Sequence, residues 1–171
     1  MNSMSKNAVR SILLVAVAMT MAGCGTTKPK PVSWNLSIKK GTHSSFKVDV
    51  VGVSPSLKAT WENAKVSNYW QDNSPLRASA NPRIEVKFSG DPPAWRMERT
   101  DPAWSQWLSQ GAGYLMIITS LPGNNFVEGP FDRRRLIVPL DKNAWDAKKS
   151  TLEFEIRDEM IVPLTKQLQA N

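Results

Sequence analysis

Strict alternation of apolar and charged side chains marks the stretch Leu152-Glu153-Phe154-Glu155-Ile156-Arg157. Successive side chains of a β-strand point to opposite faces of the sheet, so a period of two places Leu152, Phe154 and Ile156 on one face. Their charged neighbours then lie on the other face, towards water. The stretch therefore predicts a strand that buries one side against a hydrophobic core.

Similar patterns recur along the chain and predict about seven strands in all. Alternation is clear at 34–39 and 83–88, and further apolar segments occupy 46–53, 114–119, 136–140 and 160–164. The segment 114–119 is almost wholly apolar, which indicates a central strand. Proline lacks the N–H donor of the strand ladder, so Pro139 and Pro163 are expected on edge strands or at strand ends.

Two short helices are predicted between the strands. Ser54 before Pro55 and Asp101 before Pro102 are typical helix starts, and the second helix should stop near Gly111. The first helix should bury one face, formed by Leu57, Trp61 and Ala64. About seven strands and two short helices predict a mainly β fold, an antiparallel β-sandwich such as the immunoglobulin-like fold, with two helical insertions.

The only cysteine, Cys24, follows a segment with the features of a secretion signal. An apolar run at 12–22, broken only by Thr20, comes after Lys6 and Arg10. Such a run is too short for a membrane-spanning helix, which needs about 20 residues, but it fits the apolar region of a signal peptide. An ordinary secretory peptide with an incidental cysteine is the alternative interpretation.

Met21-Ala22-Gly23-Cys24 resembles the lipobox of bacterial lipoproteins, in which small residues precede the cysteine and the thiol receives a diacylglyceryl group. The resemblance implies a signal peptide at 1–23 and a lipid of the palmitate type on Cys24 that binds the membrane. Gly25 is not the aspartate associated with retention in the inner membrane. The resemblance therefore implies the periplasmic face of the outer membrane.

The mature chain is predicted to consist of a lipidated tether at 24–32 and one periplasmic domain at 33–171. The tether contains two prolines and almost no apolar residue, which favours an extended, hydrated chain. Of the 22 Lys and Arg residues, Lys6 and Arg10 precede Cys24, so 20 remain against 15 acidic residues, a net charge of +5. This modest excess does not indicate nucleic acid, and leaves anionic envelope polymers, lipid headgroups or an acidic protein face as partners.

No residue pattern predicts catalysis, a metal or a cofactor. His43 is the only histidine, and no Gly-x-Ser-x-Gly motif is present, so a metal site and a catalytic triad lack support. The loop carboxylates are explained by turns and helix caps; they are Asp72, Asp91, Glu98 and Asp101. We therefore predict a protein that is not an enzyme. A glycan hydrolase with two of these acids across a cleft is the weakest alternative.

Two groups of residues are candidates for partner binding. Arg133-Arg134-Arg135 could recognise phosphate or carboxylate through guanidinium forks, or could protect a strand edge from aggregation. Trp95, Trp104 and Trp107 lie in segments not predicted as strands, where exposed rings could stack on sugars or anchor a protein interface. The alternative for these tryptophans is a hydrophobic cluster beneath the loops.

The order of lipobox, tether and one β-sandwich with a helical insertion after the second strand resembles the outer-membrane lipoprotein of type VI secretion systems. This resemblance implies a transthyretin-like sandwich that binds the periplasmic end of an inner-membrane protein. It is one of layout and carries over no binding residues. We therefore predict a lipid-anchored envelope assembly protein; the alternative is a module that binds carbohydrate or peptidoglycan through loop tryptophans.

Overall fold

A computed structural model describes residues 30–41, 45–90, 93–123, 125–146 and 150–168. The strands are β1 (Asn35–Lys40), β2 (Ser45–Val53), β3 (Arg83–Ser89), β4 (Ala94–Met97), β5 (Tyr114–Thr119), β6 (Arg135–Pro139), β7 (Thr151–Arg157) and β8 (Met160–Pro163). The α-helices are α1 (Lys58–Asn63), α2 (Val66–Tyr69), α3 (Pro75–Ser79) and α4 (Pro102–Ser109). Short 3₁₀ turns occupy Pro55–Leu57 and Lys142–Ala144. The predicted lipobox, His43 and Asp91 lie outside the described residues.

The strands form two four-stranded sheets, with the orders β4-β1-β7-β8 and β3-β2-β5-β6. The predicted mainly β sandwich is therefore confirmed. One pairing differs from the antiparallel expectation, because β1 and β7 run parallel, with Ile38 opposite Phe154. These strands come from opposite ends of the chain, and side-chain alternation carries no information on strand direction.

All seven predicted strands are present, and β4 is an additional one. β4 has only four residues, too few for a recognisable alternation. β5 lies inside its sheet, as predicted, and it is apolar throughout because both of its faces are buried. Pro139 ends the edge strand β6 and Pro163 ends the edge strand β8, so the missing N–H groups interrupt no interior ladder.

Two hydrophobic clusters stabilise the domain. The first lies between the sheets and includes Trp34, Leu152, Phe154 and Ile156, which confirms the predicted inward face of β7. The second lies on the outer face of the β3-β2-β5-β6 sheet, where the helices of the first insertion cover the strands. It contains Val51, Val53, Trp61, Val66, Tyr69, Ala80, Met116 and Ile118.

The first insertion is longer than predicted, with a 3₁₀ turn and three short α-helices between β2 and β3. Of the three residues expected on its buried face, only Trp61 is buried, and Leu57 is 51% exposed. The 3₁₀ turn at Pro55–Leu57 changes the angular spacing, so Leu57 leaves the face that Trp61 occupies. The second helix, α4, begins after its cap Asp101 and is followed by Gly111 at φ +78°, as expected.

The end of the predicted tether contacts the domain. The N–H of Val32 donates to Leu140 O at 3.1 Å, and Pro31 forms an isolated bridge with Asp141. Val32 also packs against the core between the sheets. Pro31 and Val32, predicted as the last residues of the tether, thus contact the folded domain in this structure. Among the described residues, no helix has the length and apolar character needed to cross a bilayer.

Candidate protein-docking loop

Two of the three tryptophans predicted to bind a partner lie in the core. Trp104 is 2% exposed and Trp107 is 1% exposed, and their rings pack edge to face with centroids 5.2 Å apart. Trp107 Nε1 also donates a hydrogen bond to Pro82 O at 2.9 Å. Neither ring is available to a partner in this structure, and the burial of both fits the alternative of a hydrophobic cluster beneath the loops.

The third tryptophan, Trp95, is half-buried on β4 and packs against the core. The same holds for the whole set, because each of the seven tryptophans is buried or half-buried. A sugar-binding module needs rings that lie open to water on one face. The carbohydrate-binding alternative depended on exposed loop tryptophans, and among the described residues the structure shows none.

The three consecutive arginines have different surroundings. Arg133 is exposed, whereas Arg134 and Arg135 are each 8% exposed. Both buried guanidinium groups bind oxygen atoms of this chain. Of the three arginines predicted as candidates for partner binding, Arg134 and Arg135 thus use their guanidinium groups within the chain, and only Arg133 is exposed.

Arg134 binds two carboxylates of the segment that precedes β6. Its Nε and Nη2 donate to Asp132 Oδ1 and Oδ2 at 3.0 and 2.6 Å, and Nη2 also donates to Glu128 Oε1 at 2.7 Å. Its guanidinium carbon lies 4.2 Å from the centre of the Phe126 ring. Burial opposes the charge, but the hydrogen bonds that Arg134 donates to the two carboxylates keep its pKa above the ordinary value.

Arg135 fixes the same segment to the first insertion. Its Nη1 donates to Trp61 O and Ala64 O, both at 2.7 Å, and its Nη2 donates to Glu62 O at 2.5 Å and to Gly129 O. Three of these carbonyls lie at the C-terminal end of α1, where carbonyls lack helical partners and the helix dipole favours a cation. Burial lowers the pKa of this guanidinium from its ordinary value.

Glu128 adds a third attachment. Its carboxylate accepts hydrogen bonds from the Val66 N–H at 2.7 Å and the Ser67 N–H at 3.2 Å, which are free donors at the start of α2. Residues 125–134, called here the β5–β6 loop, are thus bound to two neighbouring helices. The loop is long and irregular, yet its position is fixed by the ion pairs of Arg134 and by the hydrogen bonds of Arg135 and Glu128.

This fixed loop presents two apolar side chains to water. Phe131 is 84% exposed and Val127 is 68% exposed, the two highest values among the large hydrophobic residues that the structure describes. Arg133, two residues after Phe131, is exposed as well. Phe131 was not singled out from the sequence, although an aromatic residue inside the turn-forming run Gly129-Pro130-Phe131-Asp132 is a usable signal. The arrangement offers a preformed apolar anchor with a basic rim.

We expect Glu128→Gln to lower the free energy of unfolding by about 1–2 kcal/mol near pH 7, because the amide cannot replace the ionic contacts. Although burial opposes it, hydrogen bonds from Arg134 and the Ser67 N–H hold the pKa of Glu128 below its ordinary 4.5. A depressed folded pKa gives stability that is fully present above 4.5 and is lost as the pH falls through the folded value.

The difference between wild type and Glu128→Gln, measured by urea unfolding, should therefore be constant above about pH 5 and shrink below pH 4. Glu159→Gln, at an exposed turn, is the matched control and should stay within about 0.5 kcal/mol. A difference that does not change between pH 7 and pH 3 would contradict the ionic role of Glu128.

Three further acidic residues have structural partners. Asp101 caps α4 by accepting from the Ala103 N–H at 2.9 Å, and Glu155 pairs with Arg157 at 2.6 Å. Glu153 lies 3.6 Å from Lys39 Nζ. Within the part of the chain that the structure describes, no group of three or more His, Cys, Asp or Glu residues could hold a metal ion.

No family model matches the chain, and no curated protein matches its sequence. Solved structures do match. The type VI secretion lipoprotein TssJ1 from Pseudomonas aeruginosa is 7% identical, with a TM-score of 0.50 over 82% of this chain and 100% of that chain. The fold resembles that of TssJ1.

Two further structures share the fold. A chain in the structure of the type VI secretion TssM C-terminal domain (869–1107) from EAEC is 10% identical, with a TM-score of 0.52 over 77% of this chain and 100% of that one. A chain of a type VI membrane complex is 13% identical, with a TM-score of 0.53 over 79% of this chain and 99% of that one. At these identities the likeness is one of fold, and it agrees with the resemblance noted in the sequence.

Proposed function

We propose that this protein is a non-enzymatic assembly protein of the bacterial envelope, anchored to the outer membrane by a lipid on Cys24. It binds a periplasmic protein of a type VI-like membrane complex through the β5–β6 loop. The fold likeness to TssJ1 and to a type VI membrane complex supports the class of assembly, and the lipobox supports the anchor. The observation that carries the proposal is Phe131, exposed on a loop fixed by two buried arginines.

Fixing a loop around an exposed aromatic ring is unfavourable for an isolated domain. Ordering the backbone costs roughly 1–2 kcal/mol per residue. A ring that faces water contributes no burial free energy to offset this cost. When a partner covers the ring, burial contributes about 1.5–3 kcal/mol. Binding then needs no further ordering of the loop, because contacts within the protein already hold it in place. Buried aromatic anchors near the centre of an interface are the residues that dominate binding.

The proposal is tested by photo-crosslinking in cells that carry the complete envelope. A photoreactive phenylalanine analogue at position 131 should crosslink to an inner-membrane protein with a periplasmic domain, identified by mass spectrometry. The matched control is the same analogue at position 57, because Leu57 is also apolar and exposed but lies on the first insertion. Equal products at 57 and 131, or none at 131, would contradict docking through this loop.

Phe131→Ser should weaken capture of that crosslinked partner roughly thirtyfold, the effect of losing about 2 kcal/mol, while unfolding stays within about 0.5 kcal/mol. Leu57→Ser should leave capture unchanged.

Cys24→Ser tests the anchor separately, because it removes the thiol that carries the lipid. Stable attachment to a membrane needs more than one acyl chain, and the variant would have none on this residue. That variant should leave the membrane fraction or remain unprocessed, whatever the outcome at Phe131.

A further inference from the structure

The two sheets leave an open side where edge strand β3 faces edge strand β4. A groove of about 380 Å³ lies between them and is lined by residues 85–89 of β3 and 94–96 of β4. β3 is the outer strand of one sheet and β4 is the outer strand of the other. We call this feature the β3–β4 groove; it is separate from the β5–β6 loop.

Both edge strands have backbone groups that no described strand pairs with. The Ser120 N–H bonds to Lys47 O, so odd-numbered residues of β2 bond to β5 and even-numbered residues bond to β3. Val86 therefore pairs with β2, whereas the N–H and C=O groups of Glu85 and Lys87 turn outwards. No hydrogen bond to another described residue satisfies these outward groups.

The same holds on β4, where Lys40 bonds to Pro93 and the following alternation turns the backbone of Ala94 and Arg96 away from β1. β3 is the longer edge, with seven residues against four in β4. An unpaired edge is a template for another extended chain. β3 therefore offers the better platform for an added strand.

The groove carries a positive charge. Lys87 and Arg96 are exposed at its rims, with 67% of the Lys87 side chain in contact with water. The one acidic side chain in the lining, Glu85, is held by Arg77 at 2.7 Å and by Lys87 at 3.4 Å. The apolar component comes from Phe88 and from Trp95, the one tryptophan of the three predicted for binding that is not in the core.

We propose that the β3–β4 groove binds an extended, acidic segment of a protein partner by strand addition to β3. The outward backbone groups provide the hydrogen bonds, and Lys87 and Arg96 select carboxylate side chains. This site does not depend on docking through the β5–β6 loop. It gives the protein a second, separable contact with a partner.

The test uses the full-length protein in detergent micelles and a library of random dodecapeptides displayed on phage. Selected peptides should be rich in Asp and Glu that alternate with apolar residues. A synthetic selected peptide should protect the amides of 83–89 from hydrogen exchange. Lys87→Glu combined with Arg96→Glu should weaken its binding at least tenfold, because like charges then meet.

Two matched controls isolate charge and backbone. Lys142→Glu with Lys166→Glu changes the same charge at exposed positions outside the groove and should leave binding unchanged. N-methylation of one alternate set of peptide amides should abolish binding, whereas methylation of the other set should be tolerated, because only one set faces β3. Phe131→Ser should have no effect, so this test and that of the β5–β6 loop can fail independently.

The proposal is overturned if no acidic peptides are enriched, or if both methylated peptides bind alike. It is also overturned if the protein alone associates with itself in a way that protects 83–89. That result would assign the edge to a second copy of the chain.

Discussion

Arg135→Ala is expected to lower the free energy of unfolding by about 4 kcal/mol, although the residue is charged and lies at the junction of the β5–β6 loop with β6. Four carbonyl oxygens accept from its guanidinium: those of Trp61, Glu62, Ala64 and Gly129. Each hydrogen bond from a charged donor contributes about 1.5–3 kcal/mol, from which the cost of burying the charge must be subtracted. Alanine leaves the carbonyls without a donor.

Arg133, two residues earlier in the same run of arginines, is the matched control. Arg133→Ala removes the same side chain from an exposed position and should change stability by no more than about 0.5 kcal/mol. Arg135→Lys should recover less than half of the loss, because an ammonium has three donors and cannot match the fork geometry. Urea unfolding of the three variants measures these values. Equal losses at 133 and 135 would contradict the assignment of Arg135 as the link between the β5–β6 loop and α1.

The strands could be predicted from the sequence because a strand buried on one face has apolar residues at every second position. Leu152, Phe154 and Ile156 are each 0% exposed, as their alternation requires. The parallel pairing of β1 with β7 leaves no such record, because alternation is the same in both directions. The four-residue strand β4 was missed because its pattern is too short to stand out from a loop.

The candidate site was predicted only in part. The run of arginines was found, but not its division into Arg133, which is exposed, and Arg134 and Arg135, which are buried. The partners of Arg134, Asp132 and Glu128, lie only two and six residues earlier, but those of Arg135 include Trp61 and Ala64, more than 70 residues earlier in the chain. Local sequence holds no trace of such distant partners. Buried arginines are rare unless paired, so the composition of the run favoured the opposite interpretation.

In the tryptophan-rich segment, two aromatic residues that were candidates for partner binding are buried in the core. Trp104 and Trp107 lie three residues apart on one face of α4, a spacing that fits a core face as well as a binding face. Gly52 of β2 decides between them, because a Cβ atom there would lie 2.4 Å from Trp107 Cγ. Because Gly52 has no side chain, the indole ring of Trp107 packs directly against the β2 backbone. Such complementarity between a glycine and a distant ring becomes visible only in the folded chain.

Trp107→Ala is accordingly expected to lower the free energy of unfolding by about 3–5 kcal/mol, through lost burial and the cavity that remains. The ring is 1% exposed, and its loss also removes the hydrogen bond to Pro82 O and the edge-to-face contact with Trp104. Gln106→Ala, at the exposed neighbouring position of α4, is the matched control and should stay within about 0.5 kcal/mol.

The readout that separates core from binding surface is partner capture measured per folded molecule, at a temperature where Trp107→Ala is still native. A core residue predicts undiminished capture by the folded fraction, because the β5–β6 loop is held by Arg134 and Arg135 and not by α4. Phe131→Ser predicts the reverse, with intact stability and weakened capture. If Trp107→Ala keeps its stability but loses capture, docking takes place at α4, and both the packing of Trp107 and the role of the loop must be reassigned.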